Sequence, residues 1–534
     1  MSEPNRRRIV QGLAATTLAS TTLTATALLP ATGEAQAQRR DGRPETPFGF
    51  GDVERRAQDL AKVAHDPRVP ALPAPIAKLD YDAWRDIRFK PDKAFLGEGS
   101  PFRLQLFHLG FLYTRPVTVN LGRGGVATPI AYQSSLYDMG RTKLDKALPV
   151  DLGFAGLRIH APLNKPNLLD ELIVFLGASY YRFLGRDQRY GLSARGLAVN
   201  VEGQGGPEEF PVFREFWVAV PEKTDDALIL YALLDSPSLT GAYQFTVTPG
   251  DETRVAVRAT LIPRVDLATV GLAPLTSMFF IGENDRRYAD DYRAELHDSD
   301  GLQMAAGSGE WLWRPLHNPR DRRLSSFVDR DPKGFGLMQR DRTFESYQDL
   351  EAAYDRRPGY FVEPDGPWGE GAVMLMELPT DTETNDNVVA CWRPANPYPA
   401  GTPVTLSYRV RAVGRAALHP GGRVVNTFSV APVASGTAKA EEAKGGLTRR
   451  FLVDFAGGDL DYYLSDPSPV EVVASTSTGR ITHSSVAPNP HIRGLRAALD
   501  VTMEASGQTT DLRVFLRASG RALSETWVYP WTAQ

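Results

Sequence analysis

A single cysteine, Cys391, is all the thiol in 534 residues. No disulfide can therefore form within one chain, and stability has to come from packing. Cys391 sits in Val388-Val389-Ala390-Cys391-Trp392, a run that reads as a buried strand, so it is a structural thiol unless a base stands beside it. An excess of charge is missing too: the formal net charge is -4, with Lys and Arg scattered among Asp and Glu. Without a basic stripe there is no electrostatic footprint for a phosphate backbone, which argues against nucleic acid as a partner. Beyond the N-terminus no segment is long and apolar enough to cross a bilayer, so no stable membrane insertion is expected. The signatures of cofactor chemistry are absent as well. Gly97-Glu98-Gly99 and Gly122-Arg123-Gly124-Gly125 lack the strand and helix context of a nucleotide fold, and there is neither a Walker lysine loop nor a His-Glu-x-x-His helix. Asp298-Ser299-Asp300-Gly301 places its glycine too early for a calcium loop and lacks the later bidentate carboxylate. In Gly191-Leu192-Ser193-Ala194-Arg195-Gly196 an extra residue breaks the spacing of a nucleophile elbow. Neither a cofactor nor a metal is expected.

What is present begins with an export signal. Asn5-Arg6-Arg7-Arg8-Ile9 leads into a mildly apolar segment, Gly12 to Leu29, and Ala35-Gln36-Ala37 fits a small-x-small cleavage site. This pattern predicts a twin-arginine signal over residues 1–37, a mature start near Gln38 and a periplasmic destination. A short retained anchor is the alternative, against which the Thr- and Ala-rich composition argues.

The chain is 42% hydrophobic and long enough for two or three domains. Period-two alternation recurs in Phe102–Phe107, Leu172–Leu176, Glu215–Val220, Ala242–Val247 and Arg254–Ala259, which predicts a large all-β sandwich. Forty prolines suit strand edges and turns better than helices. The best helical patterns are Val53 to His65 and Thr343 to Arg356. After Tyr408-Arg409-Val410-Arg411 the texture changes, with a turn-rich stretch at Gly414 to Arg423 and a polar loop at Ser435 to Gly446. Shorter strands resume from Arg450, including Leu512–Arg517 and Glu525–Tyr529, and read as an immunoglobulin-like sandwich without its disulfide. The expected division is 38–412 for the large sandwich and 413–534 for a linker and the smaller one.

Two acidic clusters stand in aromatic, Gly-rich surroundings: Asp290 to Gly301, and Pro379 to Val388. Carboxylates in turns, with Trp311, Trp313, Trp368 and Trp392 nearby in sequence, suit a glycosidase, which needs an acid for the leaving oxygen, a base for water and rings to stack sugars. The same clusters also fit solvated turn formers, because Asp and Asn are common in turns.

Seven ordered blocks carry a family resemblance. They are Gly153-Phe154-Ala155-Gly156-Leu157-Arg158, Phe175 to Arg182, Tyr190 to Ala198, Phe213-Arg214-Glu215-Phe216-Trp217, Arg293 to Leu302, Gly309 to Pro315, and Glu383-Thr384-Asn385-Asp386-Asn387. Together they resemble the periplasmic glucan biosynthesis proteins D and G over nearly the whole mature chain, and the export signal leans toward the D branch. The resemblance implies a β-supersandwich of the galactose-mutarotase kind followed by an immunoglobulin-like domain. It also implies a part in making the glucose backbone of osmoregulated periplasmic glucans, and, for D-type members, inverting chemistry on β-1,2-glucan by hydrolysis or transglycosylation. By position Asp386 matches the general acid, Asp298 the general base, and Tyr354 a tyrosine near the water relay. Glu383, Arg195, Trp313, Arg314 and Trp368 are candidates for the sugar groove, since arginine donors serve several hydroxyls and indole faces cover a glucose ring. Ser435 to Gly446 resembles a loop that contributes to the cleft in related enzymes, across a homodimer where two copies pair. The competing function is a glucan-binding scaffold in which the carboxylates are idle.

Overall fold

The computed structural model describes residues 48–533, apart from 98, 145, 204–205, 287–289 and 432–445. The export signal and nearly all of the Ser435 to Gly446 loop lie outside the described residues.

The alternation read from the sequence becomes strands that build two large sheets, one of ten strands and one of fifteen. Each predicted run falls inside a strand to within one residue, in Arg103–Phe107, Asp170–Leu176, Val212–Ala219, Leu239–Thr248 and Arg254–Pro263. Their apolar faces meet across the sandwich. Phe175 of the ten-stranded sheet lies 5.0 Å from Phe245 of the fifteen-stranded sheet, and Phe183 stacks on Tyr360 at 4.3 Å between ring centroids. Such interdigitation of inner faces is how two sheets make a core. Cys391 is buried in strand Val388–Pro394, and burial pushes its thiol up to about 12, so it remains protonated and inert.

Of the two helical patterns, the first forms one helix, Phe50–Ala61, starting three residues earlier than expected. Asp52 accepts the Gly49 N–H at 2.8 Å and caps it, while Phe50, Val53 and Ala57 bury one face against Trp217, Leu233, Ala242 and Ile262. The second pattern, Thr343 to Arg356, does not form a helix. Gln348 and Ala353 both take left-handed backbone conformations, with φ 52° and 46°, and leave a single turn, Phe344–Tyr347, and a 3₁₀ turn, Tyr354–Arg356.

Strand Val404–Val413 ends the large unit, and a smaller two-layered one follows. One layer is a four-stranded sheet made of Arg423–Val430, Thr448–Ala456, Gly494–Thr502 and Arg480–Asn489. The other layer consists of Val470–Thr476, Thr509–Ala518 and Thr526–Thr532, and it is not separate from the large unit. Thr526 and Trp527 pair in parallel with Leu312 and Trp313, so these strands continue the fifteen-stranded sheet.

A cleft of about 670 Å³ lies at the seam between the units, with Glu283 on its wall. The Glu283 carboxyl accepts the Thr427 N–H from strand Arg423–Val430. Burial, reinforced by the nearby Glu295 charge, pushes that carboxyl up to about 9. The folded state therefore holds this proton more tightly than the unfolded chain, whose carboxyl titrates near 4.5. The stability it contributes is present below about 4.5 and is lost as pH rises through about 9. Glu283→Gln keeps the acceptor for Thr427 and removes the titration. It is expected to stabilise the fold by on the order of 2 kcal/mol at pH 8 and to change little near pH 4.5, as measured by thermal unfolding at both pH values. An equal effect at both values would place the cause in packing.

Candidate functional site

The proposed acid and base are carried by two segments zipped to opposite sides of the same three residues, Ser277-Met278-Phe279. On one side Ser277 pairs with Val388, and the Asn387 N–H donates to the Ser277 carbonyl at 3.0 Å. The Asn387 side chain then locks the turn. Its Oδ1 accepts the Phe279 N–H at 2.8 Å, and its Nδ2 donates to the carbonyls of Phe279 at 3.0 Å and Leu378 at 2.9 Å. Asp386, the preceding residue, is held 2% exposed. On the other side Phe279 pairs with His297, and the Asp298 N–H donates to the Met278 carbonyl at 2.8 Å. Asp298 is fully buried, and the hydroxyls of Ser277 and Ser299 bond at 2.9 Å beside it.

A chain of polar contacts links the two carboxylate-bearing segments. Arg357 forms an ion pair with Asp298, and its guanidinium lies 3.9 Å over the Tyr354 ring. The Tyr354 hydroxyl donates to Glu383 Oε2 at 3.2 Å, and Arg293 Nη1 donates to the same oxygen at 2.8 Å. Arg293 is shared with Asp291 at 2.8 Å and Asp349 at 3.1 Å. Burial pushes the Tyr354 phenol well up, so it stays neutral and keeps a proton to donate. Glu383 is in the same loop as Asp386, so this chain runs from the base to the segment that carries the acid.

Beneath this layer His297 is fully buried. Gln339 Nε2 donates to the carbonyls of His297 at 2.9 Å and Tyr354 at 3.2 Å, which turns its Oε1 toward His297 Nδ1, 2.8 Å away. His297 Nε2 faces Glu295 Oε2 at 2.8 Å. Burial disfavours the imidazolium, but the Glu295 hydrogen bond and charge outweigh it and raise the imidazole. Gln339 thus ties the strand ending at His297 to the turn carrying Tyr354. Asp300 is similarly committed to the backbone: its Oδ2 accepts the N–H groups of Arg340 and Asp341, both at 2.9 Å.

Asp298, Tyr354 and Glu383 come together in this way, with Asp386 further along the loop that carries Glu383. The other four sequence candidates have partners of their own. Arg195 pairs with Glu208 at 2.9 Å and lies over the rings of Tyr180 and Phe210. Arg314 is closed inside an ion pair with Glu377 at 2.7 Å, the two side chains 1% and 0% exposed. Trp313 is 4% exposed, with the Arg340 guanidinium 3.5 Å over its ring. Trp368 packs against Trp392 and Tyr408. Trp313 also lines a small cavity together with His297 and Asp300. Arg357 and Arg293 were not singled out by sequence reasoning. The signal for Arg357 was its spacing: in a 3₁₀ turn, residues three apart eclipse, which places it under Tyr354. Neither Asp298 nor Asp386 lines the seam cleft.

The family model described as "Periplasmic glucan biosynthesis protein, MdoG" matches residues 48–531. Among curated relatives, a protein named "Glucans biosynthesis protein G" from Shewanella frigidimarina is 45% identical over 487 residues, covering 91% of this chain and 85% of the relative. Proteins of the same name from Rhodopseudomonas palustris and Vibrio cholerae are 42% and 43% identical; the first match covers 99% of this chain and 100% of the relative, the second 91% and 87%. These relatives carry the G name, whereas the lean toward D rests on the export signal alone. From the matched span and these identities, the chain belongs to the periplasmic glucan biosynthesis protein family.

Proposed function

We propose that the chain acts on the β-1,2-linked glucose backbone of an osmoregulated periplasmic glucan by a single inverting displacement, after twin-arginine export and removal of residues 1–37. The observation that supports the reading is the shared anchoring of the Asp298 and Asp386 segments on Ser277–Phe279, one segment on each side. Asp386 protonates the glycosidic oxygen. Asp298, with Arg357 balancing its charge, takes the proton from the incoming oxygen. Tyr354, neutral and bonded to Glu383, orients the water or sugar hydroxyl that passes this proton on. An inverting site leaves room for such a relay, whereas a retaining one needs its carboxylate against the anomeric carbon. Water as the incoming group gives hydrolysis, and a hydroxyl of the folded-back chain gives transfer with loss of one water from the product mass. A division at 412/413 and a homodimer whose partner loop reaches the cleft belong to the same reading.

Linear β-1,2-glucan treated with the purified chain is expected to yield products whose new reducing end is first seen as the α anomer by proton NMR. A β anomer formed first would refute the pairing of Asp386 with Asp298. The burial of both carboxyls favours the second reading, a non-catalytic glucan-binding scaffold. An unchanged polymer across a range of pH, with binding retained, would establish it in place of the enzyme.

A further inference from the structure

Strand Tyr180–Phe183 is buried along its whole length. Successive side chains on a strand point to opposite faces. Tyr181 and Phe183 stack into the core between the sheets, and Arg182 turns the other way, onto the wall of a cavity of about 250 Å³. Arg182 is only 6% exposed, yet its buried Nε and Nη2 find no hydrogen-bond partner among the described residues. The carboxylates on the same wall are already engaged. Glu171 accepts from Arg158 Nη1 at 3.0 Å, and Asp170 accepts the Asn164 N–H at 2.8 Å. The other titratable groups there supply no negative charge. Burial, helped by the Arg158 charge, pushes His160 down to about 4, and burial pushes the phenols of Tyr113, Tyr181 and Tyr190 upward.

An unpaired guanidinium inside a protein is costly, because burial removes its hydration and nothing replaces it. A neutral sugar hydroxyl accepts an N–H but leaves the charge uncompensated, whereas an oxyanion answers both, and does so through short, charge-assisted bonds. We infer that this cavity is a binding site for an oxyanion, seated on Arg182, separate from the Asp298 and Asp386 cluster.

Calorimetric titration of the full chain with inorganic phosphate, glucose 6-phosphate and glucose, at constant ionic strength, tests it. Saturable heat with the two anions and none with glucose is expected. Tighter binding of inorganic phosphate identifies a free anion as the ligand, and tighter binding of the sugar phosphate identifies an anionic group borne on sugar. Arg182→Gln should weaken anion binding about ten- to a hundredfold, since hydrogen bonds to a charged group are being lost. Arg182→Lys, which keeps the charge but not the fork, should fall between. Equal binding of glucose, no saturable anion binding to the wild-type chain, or unchanged binding by a folded Arg182→Gln protein overturns the inference. If Arg182→Gln does not fold, the wild-type titrations decide it alone. Asp386→Asn should leave anion binding unchanged, so failure of the catalytic reading and failure of this one are told apart.

Discussion

Asp386→Asn is expected to lower turnover of linear β-1,2-glucan by about 10²–10⁴-fold while leaving glucan affinity close to that of the unaltered chain. The amide matches the carboxyl in shape and still hydrogen-bonds, but it has no proton to give to the leaving oxygen. Its neighbour Asn387 anchors the turn independently, through Phe279 and Leu378, so the loop should hold its course in the variant. The expected pattern is a fall in kcat with little movement in binding, the mark of an interaction made in the transition state. Initial rates by reducing-end assay, set beside binding by calorimetry, measure the two separately. A near-normal rate removes Asp386 from the acid role. A large loss of binding would instead make it a contact for the resting substrate.

Arg314→Met is expected to destabilise the fold by about 3–5 kcal/mol, because it strands Glu377 as a buried charge without its counter-ion. Glu377 is fully enclosed, and besides Arg314 it accepts only the His317 N–H, at 2.7 Å, among the bonds seen for its side chain. The pair joins strand Trp311–Pro315 to strand Glu370–Glu377 across the two large sheets, so the loss should appear as global unfolding. Urea denaturation followed by far-ultraviolet circular dichroism measures it. Adding Glu377→Leu to the variant should restore much of the loss, since replacing both ions by apolar groups removes the stranded charge. If the single variant is as stable as the parent, water or another donor reaches Glu377, and the pair is not what holds these strands.

The strands were legible because a half-buried strand writes its burial as a period of two, and Arg254–Pro263 or Thr509–Ala518 do so plainly. The break in the Thr343 to Arg356 pattern was not legible, because it depends on left-handed backbone at Gln348 and Ala353, residues with no particular preference for it. Local pattern brought forward the two acidic clusters that contain Asp298, Glu383 and Asp386, while their roles, and Tyr354 altogether, came from the family resemblance. Local pattern could not show that Arg357 reaches Asp298 or that Arg293 reaches Glu383, since those contacts join segments far apart in the chain. Arg195, Arg314, Trp313 and Trp368 were drawn in by residue type, and type does not reveal whether a guanidinium or an indole faces a groove or a buried partner.

The pairing of Thr526 and Trp527 with Leu312 and Trp313 bears on the order in which the molecule can be assembled. A ribosome delivers residue 313 long before residue 527, and until the last strand emerges the outer edge of Trp311–Pro315 is an open template for any extended segment. The fifteen-stranded sheet stays incomplete until Thr526–Thr532 has been made. Contacts of such long sequence separation also form slowly. The nascent polypeptide therefore passes through an interval during which a sticky border awaits closure. A holding chaperone would be of most use to the chain in that interval.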